Sequence, residues 1–320
     1  MKVSVTIPTY NRSYLLRKCL DSLVIQDYPH ADFEIIISDN NSTDDTATVA
    51  NEYIEKFKND IHICYLIEKR RGLVYVRNSP VKKSNGEILF FGDDDGVYDS
   101  NWISSIISVY KKFPDVKAVG SKIDILWDKE PPAWVRNYEQ FLGKLNYGNE
   151  VRVGKGIFIN GGSFSIRKEI LLELNGFNPE QVGEDYIGDG ESGLCRKMHK
   201  KGYLLGWTPQ STMHHLQFVD KNATLKDMKR RFRNNGICET YILFVSEKGG
   251  VLSLVKQFLT ILSRIPKLVL KKGKTFITGN EKYRLNLSFM LAFNFAQLPY
   301  ICKLLLNADF RSYISKSNWF

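Results

Sequence analysis

The stretch Glu87-Ile88-Leu89-Phe90-Phe91-Gly92-Asp93-Asp94-Asp95-Gly96 runs from an apolar segment straight into three adjacent carboxylates. The apolar part is too short for a typical helix and reads as a buried strand. Three neighbouring carboxylates repel one another, so a fold that keeps them at a strand end has a use for them. Hard divalent cations such as Mg²⁺ and Mn²⁺ take oxygen ligands and often bridge a carboxylate to phosphates. On an extended segment, residues two apart point the same way, so Asp93 and Asp95 can face one ligand.

The same grammar repeats upstream. Val3-Ser4-Val5-Thr6-Ile7-Pro8 is a strand, and Arg12 to Ile25 carries Leu15, Leu16, Cys19, Leu20 and Leu23 at helical spacing. Phe33 to Ser38 is a second strand, and Asn41 to Thr46 supplies turn and N-cap chemistry before a helix through Phe57. Ile61 to Leu66 is a third strand, followed by a helix expected over Val74 to Ser84 and then the Glu87–Phe91 strand. Strands alternating with helices predict an α/β chain with a doubly wound, mostly parallel sheet, which binds ligands at the carboxyl ends of its strands. That topology gathers the clusters at Thr9–Arg12, Asp39–Asn41 and Gly92–Asp95 on one edge.

Downstream the pattern loosens. Pro131-Pro132 and the glycines at 143, 148, 154, 156, 161 and 162 indicate loops. Helices are expected over Ile166 to Leu174 and Gly190 to Lys200, and the chain is mainly helical from Thr224. Between Val251 and Leu270, an apolar face of Val251, Leu254, Val255, Phe258, Leu262 and Ile265 opposes Ser253, Lys256, Thr260, Arg264 and Lys267. Leu285 to Leu306 is near membrane-spanning length, but Asn286, Asn294, Gln297, Pro299 and Lys303 argue against a lipid-spanning helix.

The net charge of +10 is unevenly distributed: residues 221–320 hold 18 Lys+Arg against 5 Asp+Glu, while residues 1–220 hold 27 against 30. The basic tail suggests an anionic partner. It carries no helix-turn-helix, RRM or zinc-finger pattern and no aromatic platform, so a nucleic-acid partner is not expected. The five cysteines lie far apart with no CxxC pair, which fits a reducing compartment rather than a disulfide framework or zinc ribbon. No secretory signal is visible at the N-terminus. No GxGxxG follows the first strand, where a dinucleotide fold would carry it, and GxxxxGK[ST] is missing, which removes support for a dinucleotide enzyme or a P-loop NTPase. Arg12 and Arg77 are the phosphate partners expected from the first half, because a guanidinium matches phosphate oxygens in a fork. Asp39, at a strand end, can accept hydrogen bonds from a base or ribose.

Taken in order, VSVTIPTYNR (3–12), EIIISDNNSTDDT (34–46), GLVYVRNSPVKKSNGEILFFGDDDG (72–96), PPAWV (131–135), INGGSFSIRKEILLELNGF (159–177), GDGESGLCRKMHKKGY (188–203) and TPQSTMHH (208–215) resemble the family 2 glycosyltransferases of GT-A fold. The match runs over about residues 1–235. The resemblance implies a GT-A domain over 1–220, with a nucleotide-binding half at 1–100 and an acceptor-side half at 101–220, and a basic amphipathic helical region over 221–320. It implies that Pro8, Tyr10 and Arg12 line the nucleotide pocket and that Asp39 holds the base. Arg77 would sit near the diphosphate. By the same resemblance Asp93 and Asp95 would form the DxD, with Asp94 between them in the donor site, and Asp95 foremost, with Asp93, would hold the metal. Gly161-Gly162-Ser163 would border the acceptor. Counting from Pro209, His215 falls where the family often has a histidine near the metal.

The catalytic base departs from the family pattern of Glu-Asp before an Arg-Leu pair. Alignment on Arg196 and Gly202-Tyr203 puts Glu191 at that place, with Asp189 as its rival; a literal Glu184-Asp185 pair falls six residues too early. The implied activity is transfer, with inversion and a divalent metal (Mn²⁺ or Mg²⁺), of a sugar from a nucleotide-sugar donor, UDP being commonest. The implied acceptor is a glycan or lipid-linked hydroxyl, in polysaccharide or glycolipid synthesis. A catalytically silent nucleotide-sugar-binding subunit is the alternative, and a nucleic-acid binder a weaker one. The tail, residues 235–310, would seat the chain peripherally on the inner face of the cytoplasmic membrane, pack on itself or form a homodimer.

Overall fold

The computed structural model describes residues 1–183, 185–246 and 249–320. The first half follows β1 (Val3–Thr9), α1 (Ser13–Leu23), β2 (Phe33–Asp39), α2 (Thr46–Phe57), β3 (His62–Ile67), α3 (Leu73–Asn78) and β4 (Ile88–Gly92). The middle holds β5 (Gly96–Tyr98), α4 (Trp102–Lys112), β6 (Val116–Trp127), β7 (Arg152–Gly154), β8 (Ser163–Arg167), α5 (Lys168–Glu173), β9 (Gln181–Val182), β10 (Asp185–Tyr186), α6 (Gly190–Lys200) and β11 (Leu204–Gln217). Among the described residues, five helices complete the chain: α7 (Val219–Asn222), α8 (Leu225–Val245), α9 (Val251–Thr278), α10 (Glu281–Leu306) and α11 (Ala308–Ile314).

The main sheet runs β3-β2-β1-β4-β8-β6-β11-β5, with β7 added beside β11. The first four strands are parallel, as the alternation predicts, so Thr9, Asp39 and Gly92 end on one edge. All seven residues of both β1 and β2 are buried because helices cover both faces. The edge strand β3 exposes part of itself. One core lies under α1, α2 and α4, and a second lies under α5 and α6 on the other face.

Two helices differ from the sequence expectation. The segment 74–84 is helical only to Asn78; Pro80 has no backbone N–H to continue the ladder, and turns follow. Ile166 and Arg167 are not helical but belong to β8, which slots antiparallel between β4 and β6. Phe164 and Ile166 point into the second core while Ser163 and Ser165 point the other way, a strand alternation that the following helix masks in the sequence.

The helical tail is not a detached appendage. Val135, Tyr138 and Leu142 pack with Met228, Phe232 and Phe289. Val74 and Ile187 pack with Tyr241, Leu254, Ile261, Ile301 and Leu304. Burying one such large side chain contributes roughly 1.5–3 kcal/mol, so these contacts tie the tail firmly to the sheet. The helix α10 is long and apolar enough to cross a membrane by length and composition. Its Asn294 and Gln297 are nonetheless fully buried, Asn294 donating to the Met290 carbonyl and Gln297 accepting from Thr240 and Gln257. The apolar face expected on α9 splits in the structure: Leu254, Phe258 and Ile265 turn inward, whereas Val251, Val255 and Leu262 are exposed.

Candidate active site

A cavity of about 690 Å³ opens at the carboxyl edge of the parallel strands. Its floor is the acidic turn after β4. Gly92 permits this turn, because a Cβ there would lie 2.1 Å from the Tyr98 hydroxyl. That hydroxyl accepts from the Asp93 N–H at 2.8 Å and donates to the Gly162 carbonyl at 3.1 Å, pinning the turn to the β8 approach.

The three carboxylates then diverge. Ligand atoms of Asp93, Asp95 and His215 lie within 4.8 Å of one another, a set able to hold a cation. Asp94 turns down and accepts from Thr9 Oγ1 at 2.7 Å and from Arg12 Nη1 at 3.0 Å. Burial pushes the Asp94 carboxyl up to about 7 against the pull of Arg12. Burial works the same way on Asp95, but His215 and Arg12 outweigh it and hold that carboxyl at about 2. The Nε2 of His215 is 3.1 Å from Asp95 Oδ1. Its neighbour His214 faces the opposite side of β11 and pairs with Asp99, as strand alternation requires.

The loops after β1 and β2 are stitched together beside this floor. Asn11 Oδ1 accepts from the Thr43 N–H at 2.7 Å, and Asp44 accepts from both the Ser13 and Thr46 N–H groups, satisfying the first free N–H of α1 and of α2 at once. Pro8, Tyr10 and Arg12 line the cavity. Asp39 does not: it is buried and accepts from the Ser42 N–H and hydroxyl and from the Tyr65 hydroxyl. Its neighbour Asn40 takes the lining position.

Arg77 crosses the cavity from α3. Its Nη1 lies 3.2 Å from Glu191 and 3.6 Å from Glu180, and its Nη2 lies 3.3 Å from Asp93. Gly161 makes room for it, since a Cβ there would meet the guanidinium at 2.6 Å. One buried cation thus serves three carboxylates. Burial, then the charge of Glu191, pushes the Glu180 carboxyl up to about 8 despite Arg77.

Glu191 and Asp189 part at the start of α6. Glu191 lines the cavity in the first turn. Asp189 sits at the N-cap, buried, where it accepts from Asn178 Nδ2 at 2.9 Å and pairs with Arg196; it is not a lining residue. Of the alternative pair, Glu184 lies outside the described residues, and Asp185 is exposed and 3.7 Å from Lys303. Gly161 and Gly162 border the cavity, but Ser163 is buried below it, bonded to Trp102 Nε1 and Ser121 Oγ.

Several lining residues escape the sequence reading. Glu180 falls between two recognisable motifs, in a stretch without periodicity. Arg71 lies over the Tyr10 ring with 4.5 Å to its centroid. Arg230, Arg231 and Asn234 from α8 form the far wall with Lys221. The only signal for that wall is the local density of basic residues around Lys229 to Arg233.

A family model described as glycosyl transferase family 2 matches residues 4–174. A poly(ribitol-phosphate) beta-glucosyltransferase of Bacillus spizizenii is 40% identical over 95 residues, covering 30% of this chain and 15% of that relative. A GalNAc(5)-diNAcBac-PP-undecaprenol beta-1,3-glucosyltransferase of Campylobacter jejuni is 31% identical over 191 residues, 58% of this chain and 57% of that relative. The chain therefore spans between a seventh and three fifths of the length of these curated relatives. Among solved structures, a mannosyltransferase of Pyrobaculum calidifontis in complex with GDP-Man and Mn²⁺ superposes with a TM-score of 0.63 at 20% identity, covering 96% of this chain and 88% of that one. At that identity the likeness bears on the fold, which is GT-A with C-terminal helices.

Proposed function

The chain belongs to glycosyl transferase family 2, and from that premise we propose that it transfers a sugar from a nucleotide-diphosphate sugar to an acceptor hydroxyl in the synthesis of a polysaccharide or glycolipid. The observation that carries the reading is the span of Arg77, which ties Glu191 to Asp93 across the cavity. A base for the acceptor and a cation site for the donor thus face the same space.

The donor set of two carboxylates and an imidazole suits a hard or borderline divalent ion such as Mn²⁺ or Mg²⁺. When bound there, the ion supplies charge neutralisation to a diphosphate and its developing leaving-group charge. Asp93, Asp95 and His215 would hold it. Arg12 and Arg71 stand on the nucleotide side, where a guanidinium suits phosphate oxygens. Tyr10 offers an aromatic face beside Asn40 for the base, and UDP is the first nucleotide to test.

Glu191 is the general base: it accepts the acceptor hydroxyl's proton as the oxygen attacks the anomeric carbon. Arg77 Nη1, 3.2 Å away, keeps this carboxylate oriented. Attack on the face opposite the diphosphate inverts the anomeric centre in one displacement. The far wall of α8 borders the acceptor entrance, where Lys221, Arg230 and Arg231 outnumber Asp227, the acid that pairs with both arginines. That charge favours an acceptor carrying phosphate, a feature printed in the names of both relatives above.

The test is thermal stability with UDP, GDP, dTDP and CMP, each with Mn²⁺, with Mg²⁺ and with EDTA. A ligand of the folded state raises the melting temperature by mass action. The expected result is a rise with one nucleotide that EDTA abolishes. No rise with any of them would overturn the donor-site reading. A rise accompanied by neither sugar transfer nor donor hydrolysis would favour a silent nucleotide-sugar-binding subunit.

A further inference from the structure

The helix α9 has three faces, and the fold uses one of them. Leu254, Phe258, Ile261 and Ile265 point inward against the Tyr241 and Ile301 cluster. At about 100° per residue, a second apolar stripe lies roughly a third of a turn around the helix. It is exposed along the whole length: Leu252 at 83%, Leu259 at 60%, Leu262 at 46%, Val269 at 50%, Leu270 at 69% and Ile277 at 89%. Single exposed apolar residues are ordinary, but a continuous stripe on a helix about 42 Å long is not. The third face carries Lys256, Lys267, Lys271 and Lys274, and residues 251–280 hold six basic residues and no acidic one.

We propose that this stripe is a docking face for an anionic lipid surface, on which α9 lies parallel to the bilayer plane. The apolar side chains would enter the acyl boundary, and the lysines at the stripe's flank would reach the headgroups with their stems along the interface. Attraction to anionic headgroups adds to apolar burial, at about 1 kcal/mol for each basic residue near the surface, a roughly fivefold change in binding per lysine. The charge pattern argues for a lipid surface over a second copy of the chain. Two copies meeting on this stripe would bring Lys256, Lys267, Lys271 and Lys274 of one against the same four of the other, with no acid in either segment. The inward face is already filled, so the stripe adds nothing to folding that would account for its composition. This inference stands on α9 alone and does not depend on the reading of the active site.

Flotation of the full chain with vesicles tests it, comparing phosphatidylcholine alone with an equal mixture of phosphatidylcholine and phosphatidylglycerol. The chain should float with the mixed vesicles, less so at high salt, and at least about tenfold less with phosphatidylcholine alone. Leu259→Glu with Leu262→Glu should reduce flotation about tenfold or more while leaving melting temperature unchanged, since both sites are exposed. Lys267→Ser with Lys271→Ser and Lys274→Ser should abolish the preference for the anionic mixture. Flotation unchanged in the double-glutamate variant, or absent for the parent chain, would overturn the proposal. So would sedimentation equilibrium showing a dimer of the parent chain that the double-glutamate change dissociates. Melting shifts with nucleotide are read separately, so loss of one result leaves the other interpretable.

Discussion

The strand-end loops and the helix α9 each concentrate charge of one sign, and they treat it in opposite ways. At the loops, Asp93, Asp94 and Asp95 meet Arg77, Arg12 and His215 at 3.0–3.3 Å, behind a wall of buried strands. In α9, six cations stand on a segment with no acid of its own, beside apolar residues left in solvent. Charge closed off by short-range partners fixes side-chain directions and builds a site with a defined shape. Charge left open beside an apolar stripe fixes nothing internally and is suited to a surface that supplies its own partners. The comparison can be broken at either end, and its most sensitive point is Arg77.

Removing that cation should have the largest effect. Arg77→Met leaves Glu180, Glu191 and Asp93 facing one another with no cation between them. Breaking a buried ion cluster this way costs about 3–5 kcal/mol, visible as a lower midpoint in urea unfolding, and sugar transfer should vanish with it. Arg77→Lys should recover part of the stability but little of the transfer, because one ammonium cannot reach both Glu191 and Asp93 as a planar fork does. Equal stability of the Met variant and the parent chain would mean that the arginine does not organise the carboxylates. Glu191→Gln tests the same network without collapsing it. Transfer should fall by about 10²–10⁴, the usual contribution of a general base, while the nucleotide-dependent melting shift persists.

Asp189→Asn separates two carboxylates that share a helix start. Asp189 stands at the N-cap position of α6, but its buried carboxylate is held by Asn178 and Arg196 away from the cavity, so weakening those charge-assisted bonds should cost about 1–3 kcal/mol of stability and leave transfer largely intact. Transfer lost in Asp189→Asn and kept in Glu191→Gln would reverse the assignment.

The sequence carries the parallel half of the fold well, because β1 to β4 are short apolar runs separated by helices and punctuated by turn residues. It also marks Arg77, the Asp93–Asp95 turn and Glu191, whose neighbours form dense motifs. It does not show the insertion of β8 between β4 and β6, since an alternating five-residue strand runs directly into a helix at Lys168. Nor does it show the direction of single side chains. Asp39, Ser163 and Asp189 occupy motif positions yet point into the protein, where hydroxyls, an indole and an amide hold them. Glu180 has the opposite history: nothing around it marks a site, and only the tertiary approach of its loop to Arg77 brings it there. The face of α9 is ambiguous for a related reason. Its apolar residues cover two adjacent stripes, and periodicity cannot say which of them meets α10.

The smallest expected effect is also the one most specific to the closed side of the comparison. Burial and the nearby Glu191 raise the Glu180 carboxyl from its ordinary 4.5 to about 8. A carboxyl raised on folding holds its proton in the native state while the unfolded chain has released it. Its contribution to stability is therefore complete below about pH 4.5 and is lost as pH climbs through about 8. Glu180→Gln keeps the neutral, hydrogen-bonding shape and removes the titration. The melting temperature of the parent chain should decline over that interval by a few degrees more than that of the variant. Above pH 8 the variant should be the more stable of the two. Parallel declines would show that Glu180 does not change its protonation over that interval, and would overturn the raised carboxyl.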